Sequence, residues 1–350
     1  MDKVQLLGLF PEELTALLKE KGLPAFRGKQ VFEWLHRGAD FDQMTNLSKP
    51  LREELKSWAV AQPVKIHSHK QSQLDGTVKF LFELTDGNCV EGVLMHYHHG
   101  HTLCLSTQVG CRMGCAFCAS TLDGCIRDLT AAEMLGQIQC ANSFMPEGER
   151  VHNLVLMGSG EPLDNYDNVM RFIRLANHPQ GLNLSQRGIS LSTCGLVPQM
   201  YRLADEGLSV TLCLSLHAPN DEIRRQTMPI AKRYSMDEVL DACRNYVKKT
   251  GRRVIFEYAL VSGVNSLPCH AQELAGKLRG LQCHVNLIPL NEVKERGLKG
   301  VNEKIIRDFM QELEKRNISC TRRREMGDDI DGACGQLRRK VLMQEKEAQP

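Results

Sequence analysis

Residues 110–118 read Gly110-Cys111-Arg112-Met113-Gly114-Cys115-Ala116-Phe117-Cys118. The three thiols form a C-x3-C-x2-C array that follows directly on an apolar, β-forming run at 102–107. Thiolates are ligands for iron–sulfur clusters and for zinc. Three of them leave one iron of a four-iron cluster without a protein donor, open to the amine and carboxylate of a small molecule. A structural zinc wants a fourth ligand. Cys125 or a histidine of the block His96-Tyr97-His98-His99-Gly100-His101 could supply it, so spacing alone leaves both metals open.

Downstream, short β-branched or apolar runs alternate with longer helical stretches. The runs lie at 102–107, 152–157, 188–192, 209–215, 254–260, 284–289 and 318–323. Repeated β-then-α order predicts a parallel sheet with right-handed crossovers. The expected fold is α/β, a partial (β/α)6 barrel, with a doubly wound sheet as the alternative. Upstream, residues 1–65 read as a small helical accessory domain. Pro11-Glu12-Glu13-Leu14 opens a helix, Gly22 and Pro24 end it, and 29–36 and 49–60 predict two more. Residues 77–84 and 89–96 flank Asp86-Gly87 as a β-hairpin within a connecting segment, 66–96. The barrel is assigned to 97–340 and a polar tail to 341–350.

The formal net charge is only +2, so bulk charge does not mark a nucleic-acid binder. Basic runs such as Arg252-Arg253 and Arg322-Arg323-Arg324 are either scattered solvated charge or parts of an RNA-facing patch. The same two readings apply to Lys19, Lys21, Arg27, Lys29, Arg37, Lys49 and Arg52 in the helical module. The start, Met1-Asp2-Lys3-Val4-Gln5, carries no secretory pattern, and no apolar run approaches the ~20 residues that span a bilayer. A cytoplasmic location is expected, and the 14 cysteines are then unlike a disulfide framework.

A second motif, Met157-Gly158-Ser159-Gly160-Glu161-Pro162, ends the second core run. Its glycines let backbone carbonyls approach a bound ammonium, and Glu161 adds a charge-assisted partner. Together with the cysteine array and Phe117, it resembles the radical S-adenosylmethionine (SAM) superfamily. Four further stretches narrow the likeness: Leu191-Ser192-Thr193-Cys194-Gly195, Leu214-Ser215-Leu216-His217-Ala218-Pro219, residues 284–291 and residues 327–337. The chain from about residue 10 to residue 339 resembles the RlmN branch of the RlmN/Cfr RNA methyltransferases. It departs from that pattern at Ser159, where the family usually has methionine.

The resemblance implies methylation of adenine C2 in 23S rRNA and in tRNA. It implies one [4Fe–4S] cluster on Cys111, Cys115 and Cys118, and a SAM site at Gly160, Glu161, Ser192, Ser215, Leu216, His217 and Asn291. Two SAM molecules would serve each turnover, one as methyl donor and one as radical source. A covalent relay follows: Cys334 is S-methylated, its methylene adds to the adenine, Glu91 accepts the proton, and Cys104 resolves the adduct through a transient disulfide. An external electron donor such as flavodoxin or ferredoxin is implied, as are a monomeric state and no membrane association.

Read without the family, His217 is a packed or capping residue, Cys104 a core residue and Glu91 a solvated carboxylate. Cys334, among Gly332, Ala333 and Gly335, reads as a loop thiol. The His96–His101 block reads as a solvated turn or an RNA surface. Two rival functions stay in view. One is the Cfr branch, which methylates adenine C8; Pro162 and Cys118-Ala119-Ser120-Thr121 are closer to RlmN. The other is a non-catalytic zinc or iron–sulfur RNA-binding module.

Overall fold

Acidic side chains set the first helix. The Glu13 carboxylate accepts the Phe10 N–H at 2.7 Å, and Pro11 occupies the first turn, where a missing N–H costs nothing. In the computed structural model, which describes residues 3–290 and 297–330, strand β1 (Val4–Gln5) is followed by α1 (Pro11–Glu20), α2 (Arg27–His36) and α3 (Lys49–Trp58). Leu14, Leu18, Val31, Phe32, Leu35, Leu51 and Leu55 recur at helical spacing and face one core. The third helix stops at Trp58, two residues short of expectation. Ala59 and Val60 extend instead as β2 (Ala59–Val60), which pairs in parallel with β1.

The hairpin expected as a connector belongs to the main sheet. Strands β3 (Val64–Gln71), β4 (Val78–Leu84), β5 (Cys89–Tyr97) and β6 (Gly100–Cys104) pair antiparallel in sequence order. β3 has no counterpart among the expected elements. Its sequence VKIHSHKQ is largely polar, as suits a sheet edge.

The chain then makes a small detached ribbon, β7 (Gln108–Gly110) with β8 (Cys125–Asp128). The parallel series follows: α4 (Ala131–Phe144), β9 (Val151–Leu156), α5 (Tyr166–Ala176), β10 (Ile189–Thr193), α6 (Val197–Asp205), β11 (Thr211–Ser215), α7 (Asp221–Thr227), α8 (Met236–Thr250), β12 (Val254–Leu260), α9 (Pro268–Leu278), β13 (Cys283–Pro289), α10 (Glu303–Glu314) and β14 (Cys320–Arg322). The ten-stranded sheet runs β14-β13-β12-β11-β10-β9-β6-β5-β4-β3, and every neighbouring pair from β6 to β14 is parallel. This is the α/β order that the sequence predicts: six strand–helix units and a closing strand. All seven parallel strands therefore deliver their C-terminal ends to one edge.

The first core strand ends at Cys104 rather than at 107. Buried Gln137 of α4 takes both backbone groups of Ser106, with its carbonyl on the N–H and its amide on the C=O, each at 3.0 Å. A side chain thus replaces the ladder, and the chain turns off the sheet toward the cysteine array. Among the described residues, no helix is long and apolar enough to cross a membrane.

Candidate active site

The cysteine array is strapped into a fixed loop. Gly110 has φ +83°, and a Cβ there would lie 2.0 Å from the Gly124 carbonyl, so only glycine closes this ribbon. The Cys111 N–H donates to the Gly124 carbonyl at 2.8 Å, and the Ala116 N–H to the Thr227 carbonyl at 2.8 Å. The Thr121 hydroxyl reaches the carbonyls of Cys115 (3.3 Å) and Cys118 (2.9 Å). Cys111, Cys115 and Cys118 all line one cavity of about 350 Å3 at the C-terminal edge of the parallel strands.

Burial pushes the Cys111 thiol up to about 12 and the Cys115 thiol higher still, with the neighbouring cysteines adding to both. Such thiols are poor anions alone and good ligands for a cationic centre, which deprotonates them on binding. Among the described residues, no three His, Cys, Asp or Glu side chains converge as ligands of a single metal ion. Donors to separate irons of a cluster need not converge so closely, and the three-thiol set suits that group. Cys125 sits opposite Gly110 in the ribbon and is not on the cavity wall. His96 and His101 face each other across β5 and β6 with Nδ1 atoms 2.8 Å apart, and His101 pairs with Glu149 at 3.0 Å. Only His98 and His99 form the expected turn.

The second motif closes against the first. A Cβ on Gly158 would meet the Leu105 carbonyl at 2.6 Å. Gly160 has φ +113°, and a Cβ there would lie 2.7 Å from the Gln108 nitrogen and the Thr107 hydroxyl. Glu161 is buried; its carboxylate accepts the Cys194 N–H at 2.7 Å and the Leu163 N–H at 3.0 Å. Burial raises its pKa, and those two N–H bonds oppose the rise. Ser192 and Ser215 end adjacent strands with hydroxyls 3.4 Å apart.

His217 follows at φ +55°, its ring edge-on to Phe117 at 4.5 Å between centroids. Its Nδ1 accepts the Ala259 N–H at 2.9 Å, which leaves the ring proton on Nε2. Burial lowers its pKa to about 3, so the ring is neutral. Gly160, Glu161, Ser192, Ser215 and His217 line the same cavity as the thiols. Leu216 does not. It is wholly buried, its N–H on the Glu257 carbonyl at 3.1 Å. Asn291 lies outside the described residues.

Cys104, at the end of β6, is buried on the cavity wall beside Val93 and Met95. Glu91 is not the solvated carboxylate that alternation suggests. It lies inside the sheet, 3.2 Å from Lys79 Nζ, and the Ser106 hydroxyl donates to its backbone carbonyl at 2.7 Å. The sequence cannot show that the loop after β6 folds back over this strand. Cys334 lies outside the described residues.

Sequence reasoning missed Glu257. It is buried, lines the cavity and accepts a hydrogen bond from Asn286 Nδ2 at 2.9 Å; burial raises its pKa while Arg323 opposes. The available signal was a lone carboxylate in the otherwise apolar run VIFEYAL.

Residues 105–267 match the Radical SAM superfamily, and residues 4–61 match the Ribosomal RNA large subunit methyltransferase N-terminal domain. A "Probable dual-specificity RNA methyltransferase RlmN" of Alkaliphilus oremlandii is 53% identical over 343 residues, 98% of this chain and 99% of the relative. The protein of the same description from Clostridium beijerinckii is 52% identical over 96% of this chain and 95% of the relative. Among solved structures, a radical SAM methyltransferase from Sphaerobacter thermophilus superposes with a TM-score of 0.92 at 44% identity, covering 95% of this chain and 98% of that one.

Proposed function

The chain belongs to the RlmN family of radical SAM RNA methyltransferases, and from that premise we propose that it methylates C2 of an adenosine in 23S rRNA, and of tRNA, through a covalent cysteine relay. One observation carries the reading: Cys104, the three array thiols, Gly160, Glu161, Ser192, Ser215 and His217 all face a single cavity. Cys111, Cys115 and Cys118 would hold the [4Fe–4S] cluster, which when bound supplies the electron that cleaves SAM to a 5′-deoxyadenosyl radical.

The chain's own residues do the rest. Backbone groups around Gly160, together with Glu161, orient the SAM amine, and Ser192, Ser215 and neutral His217 offer hydroxyl and Nε2–H groups to the rest of it; Asn291 completes that set. Adenine C2 is electron-poor and SAM carries an electrophilic methyl, so direct displacement between them is unfavourable. Cys334 therefore accepts the methyl first, from one SAM. The methyl on Cys334 would then give up one hydrogen atom to the 5′-deoxyadenosyl radical from a second SAM, released as 5′-deoxyadenosine, and the sulfur-bound methylene would add to the ring. Glu91 removes the proton from the attacked carbon, and Cys104 joins Cys334 in a disulfide as the carbon–sulfur bond breaks. The lining of Cys104 beside the array thiols supports its place in the relay.

The reading extends to the chain's surroundings: a flavodoxin- or ferredoxin-like donor, a monomer, a cytoplasmic location, and an N-terminal module (1–65) whose basic residues bind RNA phosphates. The target base leaves its stack to reach the buried cavity. The deciding experiment is mass spectrometry of nucleosides from RNA treated with the anaerobically reconstituted enzyme. 2-Methyladenosine is expected. 8-Methyladenosine would move the chain to the Cfr branch, and bound zinc with no 5′-deoxyadenosine would make it a binding module.

A further inference from the structure

Arg224 of α7 is fully buried, and no carboxylate accepts a hydrogen bond from its guanidinium among the described residues. Its Nη2 donates to the Cys194 carbonyl at 2.6 Å, while Nε and Nη1 have no hydrogen-bond partner among the described residues. Asp221, on the same helix, acts on Arg224 only through space; its Oδ1 accepts the Met236 N–H at 2.8 Å. A buried cation left this way is costly unless an anion compensates it.

The anion is indicated by what α7 packs against. Cys115 and Cys194 form one buried cluster with Met228, the residue that follows the helix. The array loop is tied to the end of the same helix through the Ala116 N–H on Thr227. Arg224 is not among the residues that line the cavity; it lies behind Cys194 and within electrostatic reach of Cys115 and His217.

We propose that Arg224 is a positioning residue whose buried charge compensates the cluster held at Cys115 and raises the cluster's reduction potential. The inference rests on the reading that Cys111, Cys115 and Cys118 hold iron and sulfide. Reduction adds one negative charge to a poorly solvated site. A fixed cation behind one ligand stabilises the reduced form more than the oxidised one. Net charge, hydrogen bonding and exposure are the levers by which a protein sets such potentials.

The test is a redox titration of the full chain, reconstituted anaerobically with iron and sulfide and followed by electron paramagnetic resonance. In Arg224→Gln with iron content equal to that of the unmodified protein, the reduced-to-oxidised ratio at a fixed poise should fall about tenfold, or about 59 mV for one electron. Arg224→Lys, which keeps the charge, should stay within about threefold. SAM affinity should be unchanged in both. A fully loaded Gln variant with an unmoved midpoint overturns the proposal. So does a Lys variant that falls as far as tenfold, which decides the matter if the Gln variant does not fold. A loss of SAM binding at constant midpoint would make Arg224 a ligand contact and overturn it too. Failure of the underlying reading looks different: the unmodified protein itself would take up no iron.

Discussion

Lys79 and Glu91 form an ion pair inside the sheet, Nζ to carboxylate oxygen 3.2 Å, with both side chains buried. Lys79 stands opposite Val93 in the β4–β5 register and Glu91 opposite Leu81, so the two are diagonal neighbours on one face. Removing one member of a buried ion pair costs about 3–5 kcal/mol. Lys79→Met and Glu91→Gln should each destabilise by that order. The double variant should lose at least ~2 kcal/mol less than the sum of the two. Urea titrations of all four proteins would measure the coupling, and simple additivity would show that the pair does not interact.

Acid sensitivity should begin in the helical module. His36 packs on the Phe32 ring at 4.1 Å between centroids, and neither ring nitrogen has a partner among the described residues. Burial, with His178 adding to it, lowers its pKa to about 3. The unfolded chain binds a proton near pH 6.5 and the folded chain does not. This contribution to stability is therefore complete above pH 6.5 and is lost as pH falls from there toward 3. Between pH 7 and pH 5 the loss is about 2 kcal/mol. His36→Leu should remove about that much of the acid dependence in denaturation midpoints taken at the two pH values. An unchanged difference between them would mean that His36 is protonated in the folded chain.

How far the sequence could be read follows from which signals are local. β12 matches its expected bounds because VIFEYAL is a near-continuous apolar run, the signature of a parallel strand covered on both faces. β3 escaped because its register is set by β4 and not by its own polar sequence. β6 ran long in expectation because nothing local shows Gln137 capturing Ser106. The array thiols are legible through spacing alone. Glu91 is not, since its burial depends on a lysine from the preceding strand and on the loop after β6. Leu216 could not be placed from sequence within its triplet. Ser215 and His217 line the cavity while Leu216 between them is wholly buried, because the chain leaves β11 at Ser215 and turns through a left-handed residue at His217.

Gly160 offers a test of the second motif. Any Cβ would sit 2.7 Å from a backbone nitrogen, at φ +113°, a conformation side chains avoid. Gly160→Ala must therefore shift the 158–162 turn away from Gln108, whose side-chain carbonyl holds the Glu161 N–H at 2.8 Å. We expect destabilisation of about 1–3 kcal/mol and a loss of SAM affinity of at least tenfold by calorimetry, with iron content retained. Unchanged SAM affinity would remove this turn from the ligand site. Gly22→Ala is the control: it shares the positive φ but has nothing within 4 Å, so it should leave SAM affinity alone.

The relay separates the roles of its two cysteines by where each variant stalls. If Cys334 carries the methyl, Cys334→Ala has no acceptor for the first transfer. It should form no RNA–protein adduct and no methylated adenine, while still cleaving SAM at the cluster. Cys104 sits on the cavity wall; under the proposed relay its loss should leave methylation of Cys334 and addition to the base intact but remove the thiol proposed to take over the sulfur. Cys104→Ala should therefore accumulate a covalent RNA–protein species, visible as a nuclease-sensitive shift on a denaturing gel and as a mass increment on the peptide containing Cys334. Release should be slowed by about a hundredfold or more, in keeping with the removal of a group that acts directly at a bond-breaking step. Clean multiple turnover by Cys104→Ala would exclude it as the resolving thiol. Normal methylation by Cys334→Ala would sink the relay altogether.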